Sequence, residues 1–208
     1  VAHAMGSVRL STMSIYNIGV GVDDKNPNNY SVNLGPGSMG LTARDTSLSN
    51  DEAIVKTRAA YRKYLADMMT LAGMTDVEAR ADRILALETE IAKVSWSRAD
   101  RRDEDKIYNP MPASALKTLA PDFAWDAFLH QDEGAIPLKR PDGSERYVIV
   151  AEKTAFGPLA TIFKNTPVST WRDYLTVHYL KAFSSYLPKR FDDLVFSFYG
   201  TELSGRTQ

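Results

Sequence analysis

The chain has 208 residues, 44% of them hydrophobic and 25% charged, which suffices to bury a sizeable core and is not the composition of a disordered segment. Its 25 Lys+Arg against 26 Asp+Glu leave a net charge of -1, so no basic footprint points to nucleic acid or acidic lipid, and no apolar run approaches the roughly 20 residues that span a bilayer. The absence of cysteine removes disulfides, thiolate catalysis and cysteine-ligated zinc or iron–sulfur sites.

The chain begins at Val1 rather than methionine, and VAHAMGSVRL reads like the middle of an amphipathic helix with Val1, Met5, Val8 and Met13 as apolar points. The expectation is a piece of a longer polypeptide, so the lack of a visible signal peptide carries no information. Next, Tyr16, Ile18, Val20 and Val22 alternate with Asn17, Gly19, Gly21 and Asp23, and Tyr30, Val32 and Leu34 alternate with Ser31 and Asn33. Two strands joined by the turn chemistry of DDKNPNN predict a β-hairpin that lays its apolar face on helices, with Gly19 and Gly21 marking a bulge or a close backbone approach. Asp23, Asp24, Asn26, Asn28 and Asn29 lack the glycine and terminal glutamate of an EF-hand, so they read as a plain turn rather than a calcium loop. The glycine-rich connector GPGSMGLTARDTSLSNDE lacks the Gly-Lys-Ser/Thr ending of a phosphate-binding loop. Arg44 and Asp45 within it read as a turn-fixing ion pair, in preference to a substrate contact.

Ser49 or Asn50 is placed as the cap of a helix that runs to about Ala72 and ends at Gly73, with Ile54, Tyr61, Leu65, Met68, Met69 and Ala72 as its buried stripe. Thr75 and Glu78 have the spacing of a capping box for the following helix, whose stripe is Val77, Ala81, Ile84, Leu85, Glu88, Ile91 and Ala92. Glu88 is placed at the edge of that stripe with its head in water, and the two helices pair as an antiparallel hairpin. SRADRRDEDKIYNPMP reads as a solvated turn with local ion pairs worth little each. Short helices around Ala113 to Leu119 and Asp122 to Leu129 follow, with Phe123, Trp125 and Phe128 as core aromatics. A Pro-Asp-Gly turn in LKRPDGSERYVIV suggests a second small hairpin with Tyr147 to Val150 as its surer strand, and Ala155 to Phe163 returns to helix.

The segment from Thr166 to Gly205 organises the rest. Thr166 is placed as a cap and Pro167 in the first turn of a long helix. Trp171, Tyr174, Leu175, His178, Ala182 and Tyr186 share one face of it, and Val177, Leu180, Phe183 and Leu187 cover much of the remainder. A helix apolar on more than one side belongs inside the fold. Pro188 is expected to stop it, and Phe191, Leu194, Val195, Phe198 and Tyr199 form a further stripe before Gly200 and Gly205. With no repeat and no low-complexity linker, residues 1–208 are kept as one unit. The fold class expected is mainly α, a lobe of long packed helices with one or two small β-hairpins.

The runs TPVSTWRDYL and KAFSSYLPKRFDDLVFSFYGTELSG resemble the neprilysin family of zinc metallopeptidases, late in its non-catalytic N-terminal region. The resemblance extends to DDKNPNNYSVNLG, to a Gly-Leu-x-x-Arg-Asp turn matched by Gly40, Leu41, Arg44 and Asp45, and to an arginine-rich stretch matched by Arg101, Tyr108, Asn109 and Met111. It implies most of a helical lobe that faces a catalytic lobe of the same polypeptide and restricts entry to oligopeptides. It also implies zinc in that catalytic part and a periplasmic or extracellular setting. Animal members are disulfide-rich, so the lack of cysteine points to a bacterial relative.

The residues that would make this chain itself a peptidase are not found. Zincins carry His-Glu-x-x-His on one helical face, whereas the histidines here are His3, His130 and His178, with no such pair and no Gly-x-Ser-x-Gly. His178, alone on an apolar helix face, reads as a hydrogen-bonded core histidine. No catalytic, cofactor-binding or metal-ligating residue is assigned, no nucleic-acid partner is expected, and no membrane segment is read in the chain. Two other readings stay open: an independent helical module that binds a peptide or protein without catalysis, and an enzyme of another class.

Overall fold

A computed structural model describes residues 1–7, 13–41, 44–129 and 139–206. In chain order these form α1 (Ala2–Gly6), β1 (Tyr16–Asp23), β2 (Asn26–Pro36), α2 (Arg44–Leu48), α3 (Glu52–Leu71), α4 (Val77–Val94) and α5 (Glu104–Ile107). Then come β3 (Asn109–Pro112), α6 (Leu116–Leu119), α7 (Trp125–Leu129), β4 (Tyr147–Val150), α8 (Lys153–Asn165), α9 (Val168–Ala182) and α10 (Lys189–Val195), followed by a π-helical stretch over Phe196–Glu202. The fold is mainly α with one small sheet. It gathers into two compact units, one of Val1–Leu10, Ser14–Ser38 and Val94–Thr166, the other of Ser11–Met13, Met39–Lys93 and Pro167–Gln208.

The first unit holds a four-stranded sheet in the order β1-β2-β4-β3. β1 and β2 form the expected hairpin, in register from Tyr16↔Pro36 to Val22↔Tyr30, but β2 begins at Asn26 and takes up most of the stretch read as a turn. The register shifts between Val22 and Asp23, not at Gly19 or Gly21, where an added Cβ would meet nothing and an ordinary contact respectively. Only the base of the hairpin packs as expected: Tyr16, Val32 and Leu34 are buried, whereas Val20, Val22 and Tyr30 are exposed. β4 does not make a hairpin of its own. It runs parallel to β2 over Val148–Val150 and antiparallel to β3, a strand that the two prolines of Asn-Pro-Met-Pro hid from a pattern reading. The Pro-Asp-Gly turn is present, closed by an antiparallel bridge between Lys139 and Glu145, but Tyr147–Val150 is not its second strand; residues 134–138 and His130 lie outside the described residues.

This unit's core is aromatic. Tyr16, Phe123, Trp125 and Phe156 meet with ring centroids 4.7 to 6.1 Å apart, and Phe128 joins Phe123 and Trp125. The polar tips are satisfied inside it: Tyr16 donates to the Phe156 carbonyl at 2.6 Å and Trp125 Nε1 to the Ala120 carbonyl at 3.0 Å.

In the second unit, α3 buries Tyr61, Tyr64, Leu65, Ala66, Met68 and Met69, so the stripe is as expected in its middle and shorter at both ends, with Ile54 only half-buried and Ala72 exposed. Helix α3 starts at Glu52 behind Asp51 rather than behind Ser49 or Asn50. Gly73, at φ +74°, makes the left-handed exit that glycine permits. Thr75 and Glu78 do not build a capping box: α4 opens at Val77, and the Glu78 carboxylate pairs with Arg62 of α3, which also holds Asp82 through Nε at 2.5 Å.

Helix α9 differs from expectation at both ends. Its cap position is Pro167, while Thr166 belongs to the end of α8 and bonds the Ile162 carbonyl through its hydroxyl at 2.7 Å. It stops at Ala182, before a 3-10 turn over Ser184–Tyr186, so Pro188 does not end it and instead precedes α10. Trp171, Tyr174, Val177 and His178 are buried, Leu175 is half-buried, and Tyr186 is 84% exposed. Burial therefore fades along the helix. Gly200 lies inside the π-helical stretch rather than ending a helix there.

Candidate functional site

The most enclosed polar chemistry lies in the second unit, where α3, α4 and α9 each contribute one group. Glu88 of α4 is 2% exposed, which overturns its placement at a wet stripe edge. Its Oε1 accepts from the Tyr61 hydroxyl of α3 at 2.9 Å and lies 2.9 Å from Nε2 of His178 on α9. A carboxylate taken out of water requires such donors, and with Glu88 ionised His178 Nε2 carries the proton of this bond. Burial, reinforced by the Glu88 charge, pushes the Tyr61 and Tyr174 phenols well above their ordinary range, so both remain neutral donors.

The Gly40-Leu41-x-x-Arg44-Asp45 segment is fitted onto this network. A Cβ on Gly40 would overlap the Tyr61 hydroxyl and stand 2.7 Å from both Glu88 oxygens. Glycine is therefore needed for space. The Gly40 carbonyl accepts from the Tyr199 hydroxyl at 3.0 Å, and Leu41 is fully buried. Arg44 and Asp45 make the expected pair at 3.3 Å, in the first turn of α2. Lys181 lies over the Tyr199 ring at 3.5 Å, and burial lowers its ammonium below the usual lysine range. A second buried carboxylate, Asp173 of α9, accepts from Arg80 Nη1 of α4 at 2.7 Å.

In the first unit the charged segment after α4 is anchored rather than merely solvated. Arg101 Nε lies 3.2 Å from Oε1 of buried Glu152, whose Oε2 accepts the Trp96 N–H at 3.0 Å. Burial raises the Glu152 carboxyl, and the Trp96 N–H and the Arg101 charge partly oppose it. Tyr108 donates to Asp23 at 3.0 Å, and the Asn109 side chain donates to the Val150 carbonyl at 2.9 Å. Of the carboxylates in the stretch read against a calcium loop, Asp23 is engaged locally, since it also accepts the Lys25 and Asn26 backbone N–H groups. Beside the hairpin, a cleft of about 310 Å³ brings Arg140 and Arg146 near Tyr30 and Tyr147.

None of this is a zinc site. His3 is exposed on α1, His178 is occupied by Glu88, and among the described residues no group of His, Asp and Glu is placed to hold a metal ion. The Glu88–His178 pair has the right residue types for proton transfer, but both side chains are sealed from any substrate. Its chemistry is structural. Only the hydrogen-bonded His178 was readable beforehand. The position of Glu88 on the apolar stripe of α4 points to a packed stem, and the sequence carries no signal that its carboxylate is buried as well.

The family model described as Peptidase family M13 matches residues 1–208. Endothelin-converting enzyme 1 of Mus musculus is 28% identical over 185 residues, covering 88% of this chain and 23% of that protein. Endothelin-converting enzyme-like 1 of Rattus norvegicus is 27% identical over 184 residues, covering 87% and 23%. The crystal structure of a Mycobacterium tuberculosis zinc metalloprotease in complex with an inhibitor superposes with a TM-score of 0.87 at 27% identity, over 100% of this chain and 31% of that one. The chain therefore spans about a quarter of the length of the curated relatives it matches and about a third of the solved protease.

Proposed function

Because this chain belongs to peptidase family M13, we propose that it supplies the non-catalytic, substrate-enclosing lobe of a zinc metalloendopeptidase that hydrolyses oligopeptides. The observation that carries the reading is the likeness over the whole chain to a third of a zinc metalloprotease, joined to the lack, among the described residues, of any group of His, Asp and Glu placed to hold a metal ion. In this reading zinc and the acid–base chemistry sit in the catalytic lobe of the same polypeptide. The present residues contribute shape: long helices braced by buried polar pairs, which hold a wall in place while peptide enters and leaves. Among the described residues no helix is long and apolar enough to cross a membrane. The setting we propose is periplasmic or extracellular.

The test is complementation. The chain alone should neither retain zinc after dialysis nor cleave peptides, and mixing it with a separately produced zinc-bearing lobe should restore chelator-sensitive peptidase activity absent from either piece. One firmly held zinc per chain, with activity of its own, would overturn the proposal. Indifference to the catalytic lobe, with peptide binding retained, would favour an independent binding module.

A further inference from the structure

Strand β1 is an edge of the sheet among the described residues, and its backbone polarity can be read from two hydrogen bonds. The Gly37 N–H donates to the Ile15 carbonyl at 2.9 Å, which makes Ile15 and Gly37 a bonded pair. Bonded and non-bonded pairs alternate along an antiparallel ladder, so Asn17, Gly19 and Gly21 bond β2 while Ile18, Val20 and Val22 turn their N–H and C=O groups outward. The Ala151 N–H reaches the Leu34 carbonyl at 2.8 Å, so Leu34, opposite Ile18, faces β4, as the same parity requires.

The two edges of the sheet are unlike. β3 carries Pro110 and Pro112, the usual means of blunting an edge. β1 has no proline or lysine and is regular from Tyr16 to Val22, and Val20 and Val22 are 63% and 51% exposed. A regular edge with exposed valines and no proline or lysine to blunt it is a template for another strand.

We propose that this edge pairs with itself, joining two copies of the chain antiparallel through β1 about a two-fold axis at Val20. The sequence Asn-Ile-Gly-Val-Gly-Val is what selects a second copy as the occupant. Centred on Val20, the outward-facing groups of Ile18 meet those of Val22 in the other copy, and Val20 meets Val20, so every outward donor faces an acceptor. On one face the side chains form apolar rows that continue each hairpin's own pairs, Val22 with Tyr30 and Val20 with Val32. On the other face Gly19 opposes Gly21, which leaves nothing to clash. The interface is self-complementary, as a two-fold contact must be. Being one strand wide, it falls among small, weak interfaces and forms at high protein concentration. It does not depend on the peptidase reading.

Sedimentation velocity on the 208-residue chain, up to about 1 mM, should show a dimer that grows with concentration. Val20→Pro removes an outward N–H and leaves the Gly19 and Gly21 bonds to β2, so it should weaken the dimer at least tenfold with the far-UV spectrum kept. If that variant misfolds, a charge swap decides. Val20→Lys and Val20→Glu should each be monomeric alone, because like charges meet at the axis, and should form a salt-sensitive heterodimer when mixed. A wild-type chain that stays monomeric, a dimer that survives Val20→Lys, or a mixture that fails to pair would each overturn the proposal.

Discussion

Replacing Gly40 by alanine adds one methyl group at the point where the buried network is tightest. Gly40 does not have a left-handed backbone, so the substitution carries no conformational penalty and tests space alone. The new Cβ would overlap the Tyr61 hydroxyl and sit 2.7 Å from both Glu88 oxygens, and neither neighbour has free room to move, since Tyr61 is fully buried and Glu88 is held by Tyr61 and His178. Overpacking of a close-packed site costs about 1–3 kcal/mol, and displacing a hydrogen bond to a charged group about 1.5–3 kcal/mol. The two overlap in part, so the expected loss is about 2–5 kcal/mol, read as a shift of the urea midpoint at unchanged slope. Gly19→Ala, whose Cβ meets nothing, is the control and should stay within about 0.5 kcal/mol. In a Tyr61→Phe background part of the clash is gone, and Gly40→Ala should cost less by about 1 kcal/mol or more. A Gly40→Ala midpoint equal to that of wild type, or strict additivity with Tyr61→Phe, refutes the reasoning.

Glu88→Ala leaves the Tyr61 hydroxyl and His178 Nε2 buried without their acceptor and should cost about 3–5 kcal/mol, whereas Glu88→Gln keeps one acceptor oxygen and should cost less; equal midpoints for the two variants would deny the network its role. Trp171→Ala should cost about 3–5 kcal/mol as a core truncation, and Leu175→Ala, only half-buried, less than the 2–5 kcal/mol of a fully buried leucine; the reverse order in denaturation would contradict the packing. Burial raises the Glu152 carboxyl above its ordinary 4.5, so the folded state holds that proton more tightly than the unfolded chain, and the group's stabilising contribution is full below about pH 4.5 and lost as pH rises through the folded value. Glu152→Gln cannot titrate, so its stability relative to wild type should improve with rising pH across that window; a difference flat with pH would contradict this.

Patterns with a strong local cause were legible in the sequence. The two-residue alternation of β1 and β2 and the exit of α3 at Gly73 follow from side-chain period and chain stereochemistry, and the burial of Phe123, Trp125 and Phe128 from their large apolar rings. Features decided by a distant partner were not. Glu78 fits a capping box until Arg62 is seen to take its carboxylate, and Arg101 looks solvated until Glu152 is placed beside it. β3 escaped because its pairing is supplied by β4, nearly forty residues on, and its own prolines argue against a strand. A helix from Thr166 that is apolar on more than one side is expected inside the fold; the structure buries the first turns of α9 and leaves Tyr186, beyond its end, exposed. Composition reports what a helix can bury, while the elements packed against it set what it does bury.

The same distinction bears on the Gly-Leu-x-x-Arg-Asp segment. A motif shared with peptidases invites a substrate role, yet its glycine makes room for the Glu88–Tyr61 hydrogen bond, its leucine is buried, and its arginine and aspartate pair with each other. The glycine and the leucine are accounted for by packing, and the other two by their ion pair. Hydrogen bonds to the buried Glu88 from α3 and α9 have a further effect that apolar contacts lack: a slip of either helix would strand a charge away from water, so the arrangement is fixed as well as stabilised. For the enclosing role proposed above, that property matters more than reactive groups. The glutamate and histidine that look most like a catalytic pair are thus better explained as the pins that hold the helices in one arrangement.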